Sequence, residues 1–385
     1  MIAGPILGVL YHSIGGFASG SFYIPYRKVK NWAWEVYWLA GGVFSWIIAP
    51  AFFAWAVARA AGVDLLPILQ EGLREHRTAM IWAYIFGAMW GVGGLTFGLT
   101  MRYLGMSLGM AVALGFCAFF GTLVPPLLGM VVGFGWFGGL EQYLPPIYDQ
   151  NFLDLLKSPS GLVTLAGLGV CLAGIALCGK AGMSKERELP EEDKKATIAE
   201  FSYVKGMWVA VFSGIMSACM AFAIKSGDPM GAIAQAKGVS EVFKNTPVLI
   251  VVLLGGFTTN FIWCMILCAM NGSFSHFFSG RGASITSNYF FSALAGTTWY
   301  LQFFFYSMGT TKMGKYDFAS WTLHMATIII FSNMWGLILQ EWKGTSRRTH
   351  NLIRLGIIVL IASTVIVGGG TYMKTAEMAA TAPAH

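Results

Sequence analysis

One strongly apolar segment of the chain carries two ionisable side chains. Residues 316–325 read YDFASWTLHM and lead into TIIIFSNMWGLIL, a run with the composition of a transmembrane helix. Asp317 and His324 are seven positions apart, so two helical turns, roughly 10 Å of rise, place them on one face with Trp321 between them. An ionisable group inside a bilayer usually marks a substrate or proton pathway, although Asp317 could instead cap the helix. Asp317 and His324 are both predicted to be proton-coupling residues, since a histidine or a desolvated carboxylate can gain and lose a proton near neutral pH.

Two further ionisable residues lie near the N-terminus. His12 shares a helix face with Tyr23, and a buried histidine either moves protons or bonds a neighbouring carbonyl group. Glu35 begins a second stripe that continues to Trp38, close to a predicted membrane boundary. His12 and Glu35 complete the predicted proton-coupling set. Trp38 is a candidate for substrate binding, with an interfacial aromatic belt as the alternative.

Amide side chains lie deep in two other apolar runs. Asn260 is near the middle of one, and Trp299 and Gln302 share a face of the next. An uncharged polyhydroxy solute is held in this way, by amides that bond its hydroxyl groups and by rings against its apolar face. The alternative is that the amides bond neighbouring helices. The predicted substrate-binding residues are Trp38, Trp90, Asn260, Trp299, Gln302 and Trp321.

A stripe of glycines runs along the segment FGAMWGVGGLTFGLT. Gly87, Gly91, Gly94 and Gly98 fall at helical spacing, so a neighbouring helix can approach the backbone directly. Such a stripe indicates close packing, and it also permits helices to slide or rock. The predicted structural or gating residues are Tyr23, Gly91, Gly94 and Arg102.

Composition defines the class of protein. The chain is 56% hydrophobic and 11% charged, against about 25% charged for a soluble domain, and its mean hydropathy is +0.63. Continuous apolar runs exclude strands and predict an all-α integral membrane protein. Ten transmembrane helices are expected near 5–24, 36–58, 79–101, 106–129, 161–179, 206–227, 246–270, 286–309, 317–340 and 352–373.

A charged stretch divides these segments into two groups of five. We predict an N-terminal repeat at 1–180, a linker at 181–205, a C-terminal repeat at 206–373 and a short tail at 374–385. An odd number of spans inverts the second repeat in the membrane, as in many secondary transporters. The polar insertion near 130–158 is expected to be an extramembrane loop, or else an interfacial helix or lid.

Several features are missing from the sequence. No basic residue precedes Arg27, so the first apolar run is expected to remain as a helix rather than to be cleaved as a signal peptide. The six cysteines fall inside predicted spans and suggest neither a disulfide framework nor a metal site. The sequence contains no basic patch of the kind that would indicate binding to nucleic acid. The expected partners are a small-molecule solute, protons and the lipid bilayer, with no metal or organic cofactor and no indication of oligomeric state.

Four stretches together resemble a known family. FYIPYRKVKNWAWE at 22–35, FGAMWGVGGLTFGLTMRYLGMSLG at 86–109, WYLQFFFYSMG at 299–309 and YDFASWTLHM closely resemble L-rhamnose/proton symporters of the drug/metabolite transporter (DMT) superfamily. The resemblance implies a bacterial inner-membrane protein of ten helices in two inverted five-helix repeats (DMT/EamA-like), which imports a 6-deoxyhexose with a proton. The matching motifs contain Glu35, Arg102, Trp299, Gln302, Asp317 and His324. The less polar GGLTF stretch and the long 130–158 insertion depart from the family pattern.

Two other functions are considered. The first is export of drugs or metabolites, which members of the same superfamily also perform. A purely aromatic cavity would indicate such lipophilic cargo, whereas amide side chains in the cavity indicate a sugar. An intramembrane enzyme is disfavoured because the sequence contains no HExxH, GxSxG or GxGD motif.

Overall fold

The protein is a helical bundle, seen in a computed structural model that describes residues 3–104, 106–148, 150–188, 203–314, 319–338 and 342–381. These residues contain no strand. Their main helices are α1 (Ala3–Ser21), α2 (Tyr23–Tyr26), α3 (Trp34–Val43), α4 (Ala49–Ala60), α5 (Leu65–Glu75), α6 (Arg77–Leu104), α7 (Met106–Gly133), α8 (Phe152–Lys157), α9 (Pro159–Glu188), α10 (Tyr203–Ser226), α11 (Asp228–Ala236), α12 (Thr246–Asn271), α13 (Ile285–Thr310), α14 (Ser320–Ile338) and α15 (Arg347–Thr381).

Seven helical stretches of the described residues are long and apolar enough to cross a membrane. They are Trp34–Ala60, Arg77–Thr100, Val112–Gly133, Pro159–Lys185, Val204–Ala236, Glu241–Asn271 and Arg347–Lys374. The other three ranges expected from the sequence coincide with α1, α13 and α14. These three helices carry His12, Gln302 and His324, polar residues of the kind that lower hydropathy. The protein is therefore an all-helical, multi-pass membrane protein.

The two halves of the sequence interlock. From the first half, α1 packs against α13 and α14 of the second half, and α6 packs against α10 and α12. At the periphery, α9 and α15 run alongside each other over much of their length. The core consequently lies between the halves rather than within each of them.

The crossing of α6 and α12 depends on glycine. Gly87 faces the carbonyl group of Val252, and Gly91 faces Gly256 and Thr259, at distances that leave no space for a Cβ atom. By contrast, Gly94 and Gly98 on the same stripe face open space. Close packing therefore accounts for one half of the stripe only.

A π-helical turn interrupts the membrane-spanning stretch Trp34–Ala60. Phe44–Ile48 connects α3 to α4 with this wider geometry, and Pro50 follows at the start of α4. Proline has no N–H group to bond the preceding turn, and π turns commonly accommodate such a break. The turn buries Trp46, which is 1% exposed, among the rings of the core.

The insertion near 130–158 packs against the bundle. It contains the short helix α8 and a 3-10 turn at Glu141–Tyr143, and Ile147 and Leu155 are buried. The Trp82 indole N–H group donates to the carbonyl oxygen of Tyr143 at 3.0 Å. The described part of the insertion is thus neither a free loop nor a long interfacial helix.

Polar contacts join the end of α9 to the start of α15. The Glu188 carboxylate accepts hydrogen bonds from the hydroxyl groups of Ser346 and Thr349 at 2.7 and 2.6 Å. These donors stabilise the charged form and lower the pKa of Glu188 to about 2. The helix α9 continues to Glu188, whereas the linker was expected to begin at residue 181. Likewise, α15 continues to Thr381, inside the tail expected at 374–385. Residues 189–202 and 382–385 lie outside the described residues.

We expect Gly87→Ala to lower the melting temperature of the purified protein. The added methyl group meets the backbone of Val252, which cannot rotate away, and overpacking of this kind costs about 1–3 kcal/mol. Gly98→Ala, on the same helix, is the matched control because a Cβ there has no neighbour within 4 Å. Equal melting temperatures for the two variants would contradict the tight crossing of α6 and α12.

Candidate functional site

A cavity of about 320 Å³ lies inside the bundle. Its volume falls within the range of about 300–1,000 Å³ that is typical of small-molecule sites. The predicted residues that line it are Tyr23, Trp38, Trp90, Gly94, Trp299, Gln302 and Trp321. They come from separate stretches of both halves of the chain, so the cavity exists only because the halves interlock.

Aromatic rings form one wall of this cavity. The Trp299 ring stacks on Phe22, with centroids 4.8 Å apart and planes 9° apart. It also contacts the rings of Trp38 and Trp90 at 5.1 and 5.9 Å. Behind them, Trp46 contacts Trp299 at 5.3 Å. The wall offers several indole faces to a ligand and is supported by a second layer of rings.

Polar groups also line the cavity. The Gln302 amide lines the cavity and has no hydrogen-bond partner among the described residues. Ser19 and Ser217 add hydroxyl groups, and Asn333 uses its Nδ2 to donate to the carbonyl oxygen of Ile329 at 2.9 Å, which leaves its Oδ1 as an acceptor. This arrangement can hydrogen-bond an uncharged solute.

The cavity carries little charge. Among the described lining residues, Lys185 alone has a charged side chain, and no carboxylate is present. The Lys185 ammonium group lies 4.9 Å from the ring centroid of Trp342, a cation–π distance, and both residues line the cavity near the ends of α9 and α14. We call this end of the bundle, where α9 ends and α10 begins, the linker side. The cavity lining extends to the linker side.

Trp321 separates the large cavity from a second one of about 50 Å³. Its indole N–H group donates to the carbonyl oxygen of Cys117 at 3.1 Å, and its ring meets Tyr306 edge-on at 5.3 Å. The small cavity is also lined by Lys225 and Asp228, which form an ion pair at 2.8 Å. Trp321 and Tyr306 therefore form a barrier between the two cavities.

His12 and His324 meet behind this barrier. Their ring centroids are 6.0 Å apart, and the Tyr306 ring lies 5.4 and 5.2 Å from them. Both histidines are buried, and no ring nitrogen of either has a hydrogen-bond partner among the described residues. Gly15 leaves space for the His324 ring, and Gly309 leaves space for the His12 ring. The structure thus brings together two residues that are 312 positions apart in the sequence.

Asn260, Glu35 and Gly91 were also predicted to be site residues, and none of them lines the cavity. Asn260 is 2% exposed and bonded to its neighbours. The Glu35 carboxylate is buried on the linker side, where it accepts hydrogen bonds from Asn271 at 3.0 Å and Ser273 at 2.6 Å. Gly91 lies at the crossing of α6 and α12. Asp317 and the side chain of Arg102 lie outside the described residues.

Some lining residues were not predicted from the sequence. Phe22 immediately precedes Tyr23 and is placed against Trp299 by the short helix α2. Ser217 lies on α10, where a lone serine among apolar residues gives no distinctive signal. Lys185 lies near the C-terminal end of α9 and Trp342 follows α14, and the two side chains come together at the end of the cavity. Within the described residues, no group of three histidine, cysteine, aspartate or glutamate side chains could hold a metal ion.

A bundle of apolar helices around a polar and aromatic cavity of little charge has the form of a membrane solute carrier. Comparison with known proteins agrees with this class. The chain belongs to the family of L-rhamnose-proton symport proteins (RhaT), whose family model matches residues 1–134 and 127–373. This is a family of transporters, so the protein is not an enzyme.

The individual relatives are similar over nearly their whole length. An L-rhamnose-proton symporter of Cronobacter sakazakii is 38% identical over 368 residues, which cover 94% of this chain and 97% of the relative. Proteins of the same name from Yersinia pestis and Yersinia pseudotuberculosis are each 36% identical over 369 residues, covering 95% of this chain and 98% of the relative.

We expect a cysteine at position 217 to be accessible to water-soluble reagents. In a cysteine-free background, Ser217→Cys should react with a small charged methanethiosulfonate because Ser217 lines the cavity. Ser213→Cys, one turn away on α10, is the matched control, since Ser213 is 0% exposed and bonded to the carbonyl oxygen of Gly93. Labelling rates measured by mass spectrometry that are equal at the two positions would contradict a solvent-filled cavity.

Proposed function

We propose that the protein imports L-rhamnose, or a related 6-deoxyhexose, together with a proton across the bacterial inner membrane by alternating access. The Gln302 amide carries the proposal, since it lines a cavity of little charge together with the Trp299 ring and has no hydrogen-bond partner among the described residues. The names of the relatives give the same solute and the same coupling ion.

The polar and the aromatic parts of the cavity lining suit the hydroxyl groups and the apolar C–H face of a 6-deoxyhexose, respectively. Amide and hydroxyl groups at Gln302, Ser19 and Asn333 can bond the sugar hydroxyl groups, and indole faces can cover the C–H face and the methyl group. Because the described lining residues include no carboxylate, the cavity would not attract organic cations, which weighs against export of cationic drugs. We therefore retain the sugar as the solute and assign its contacts to Trp38, Trp90, Trp299, Gln302 and Trp321.

We further propose ten membrane spans in two inverted five-helix repeats, as in the DMT superfamily. Two short helices support this symmetry. After the first span comes α2, which contains Pro25, and after the sixth comes α11, which contains Pro229. Equivalent helix breaks in the two halves are a feature of transporters with inverted repeats. The cavity lining extends to the linker side, while the Trp321–Tyr306 barrier closes the opposite side, as expected for one state of an alternating-access cycle.

The coupling proton is assigned to the pair of His12 and His324. Two positive charges about 6 Å apart repel by roughly 3 kcal/mol at an effective dielectric constant of 20, in addition to the cost of burying each charge. The pair therefore carries at most one proton, which is the behaviour required of a coupling site. The ring centroids of Trp321 and His324 are 6.2 Å apart, and Trp321 lines the sugar cavity. A change in the protonation of the histidine pair can therefore move a ring that contacts the sugar. The proton is the only coupling ion proposed, and no cofactor is required.

We expect Gln302→Leu to weaken binding of L-rhamnose to the purified protein by about tenfold or more. The variant removes a donor and an acceptor from the cavity, and an unpaired sugar hydroxyl costs about 1–3 kcal/mol. Thr298→Val is the matched control, because Thr298 is one turn away on α13 and bonds the carbonyl oxygen of Leu294. Calorimetry that gives the same affinity for Gln302→Leu and the wild type would refute the assigned contact.

We expect L-rhamnose added to a lightly buffered suspension of cells that contain the protein to alkalinise the medium. His324→Gln should abolish this proton uptake and preserve sugar binding, because glutamine can hydrogen-bond but cannot carry the charge. His76→Gln, an exposed position between α5 and α6, is the control and should behave as the wild type. Normal alkalinisation by both His12→Gln and His324→Gln would rule out the pair as the coupling site.

A further inference from the structure

One hydrogen bond connects the aromatic wall of the cavity to a buried amide. The Trp38 indole N–H group donates to Asn260 Oδ1 at 3.0 Å. Trp38 lines the cavity, whereas Asn260 does not. The ring of Trp38 also stacks on Trp34, with centroids 5.2 Å apart, and contacts Trp299. Rotation of Trp38 about its side-chain bonds would break the bond to Asn260 and change the face offered to a ligand.

The Asn260 amide is fully engaged within the protein. Its Nδ2 donates to the carbonyl oxygen of Gly256 at 2.9 Å and to that of Gly91 at 3.4 Å. Both N–H groups are therefore used, and the oxygen is used by Trp38. With 2% of its surface exposed, Asn260 has no donor left for a sugar hydroxyl. A direct role in sugar binding, which the sequence suggested, does not fit this geometry.

The amide lies where three helices meet. Asn260 belongs to α12, Gly91 to α6 and Trp38 to α3. Because the glycine crossing leaves no space between α6 and α12, the acceptor oxygen is fixed in position relative to the backbones of both helices. In hydrocarbon an indole N–H group without an acceptor would be costly. The orientation of Trp38 that satisfies its N–H group is therefore strongly preferred.

We propose that Asn260 is a positioning residue, which fixes the plane of Trp38 so that its ring can cover the apolar face of the sugar. The inference rests on the proposed function, since it assumes that a sugar occupies the cavity. Stacking on an aromatic ring depends on the angle of the ring, so loss of the acceptor weakens binding without removing any group that touches the sugar.

A double-mutant cycle tests this role. We expect Asn260→Leu to weaken L-rhamnose affinity about tenfold in calorimetry and to raise KM in transport with Vmax nearly unchanged. In the Trp38→Phe background, where no indole N–H group remains, the same change should alter affinity less than twofold. In a Trp46→Phe background the full effect should persist, because the Trp46 N–H group has no partner among the described residues. Additive losses in the Trp38 cycle, or a fall in melting temperature with unchanged affinity, would overturn the proposal.

A second arm leaves Asn260 in place, so the test does not depend on the folding of Asn260→Leu. Benzothienylalanine at position 38 keeps the shape of the ring and has no N–H group. We expect it to weaken affinity to a similar degree, and full affinity with this residue would refute the positioning role. Absence of L-rhamnose binding by the wild-type protein would instead refute the proposed function itself, and the positioning role with it.

Discussion

Inside the hydrocarbon of a membrane no water is available, so each polar side chain needs a partner in the protein or a cavity to face. This constraint assigns three different environments to the deep polar residues of the bundle. Asn260 bonds three helices, and Gln302 faces the cavity. His12 and His324 have neither arrangement within the described residues. The same constraint thus distinguishes the amide that faces the cavity from the pair of histidines to which we assign the coupling proton.

The same constraint explains how the cavity is held open. Close helix crossings at glycine bring backbones together, and packed aromatic rings occupy space beside the cavity. Trp299 is supported by Phe22 on one face and by Trp46 behind it. Rings supported in this way keep their places without the hydrogen bonds that smaller polar side chains would need. The cavity therefore has a rigid aromatic wall beside adaptable serine, glutamine and asparagine side chains.

Local sequence patterns were sufficient to predict the helices, because the requirement to cross hydrocarbon acts on each apolar run separately. The grouping of Trp299 with Gln302 was also predictable, since both lie on one face of one helix. The hydrogen bonds of Asn260 could not be predicted, because its partners Trp38 and Gly91 lie 222 and 169 residues away in the sequence.

Contacts between distant segments account for the other differences. His12 and His324 were each predicted as proton sites, but no spacing indicated that they meet. The insertion near 130–158 contains polar residues and prolines that suggest a loop, and its attachment depends on the burial of Ile147 and Leu155 against distant helices. In the described residues, Glu35 bonds Asn271 and Ser273 rather than facing the cavity, because the loop after α12 folds back over it. Such pairings become visible only when the halves are assembled.

The π turn at Phe44–Ile48 has a consequence for how related chains should be compared. It inserts one residue into the helical register between Trp38 and the second half of the span. Loss of a single residue there would restore ordinary α geometry and leave the two parts of the span facing nearly the same directions, because the wider turn already absorbs the extra residue. Relatives that lack the extra residue would therefore keep the same face of the span at the place of Trp38, and a one-residue gap belongs at this turn when their sequences are aligned with this chain.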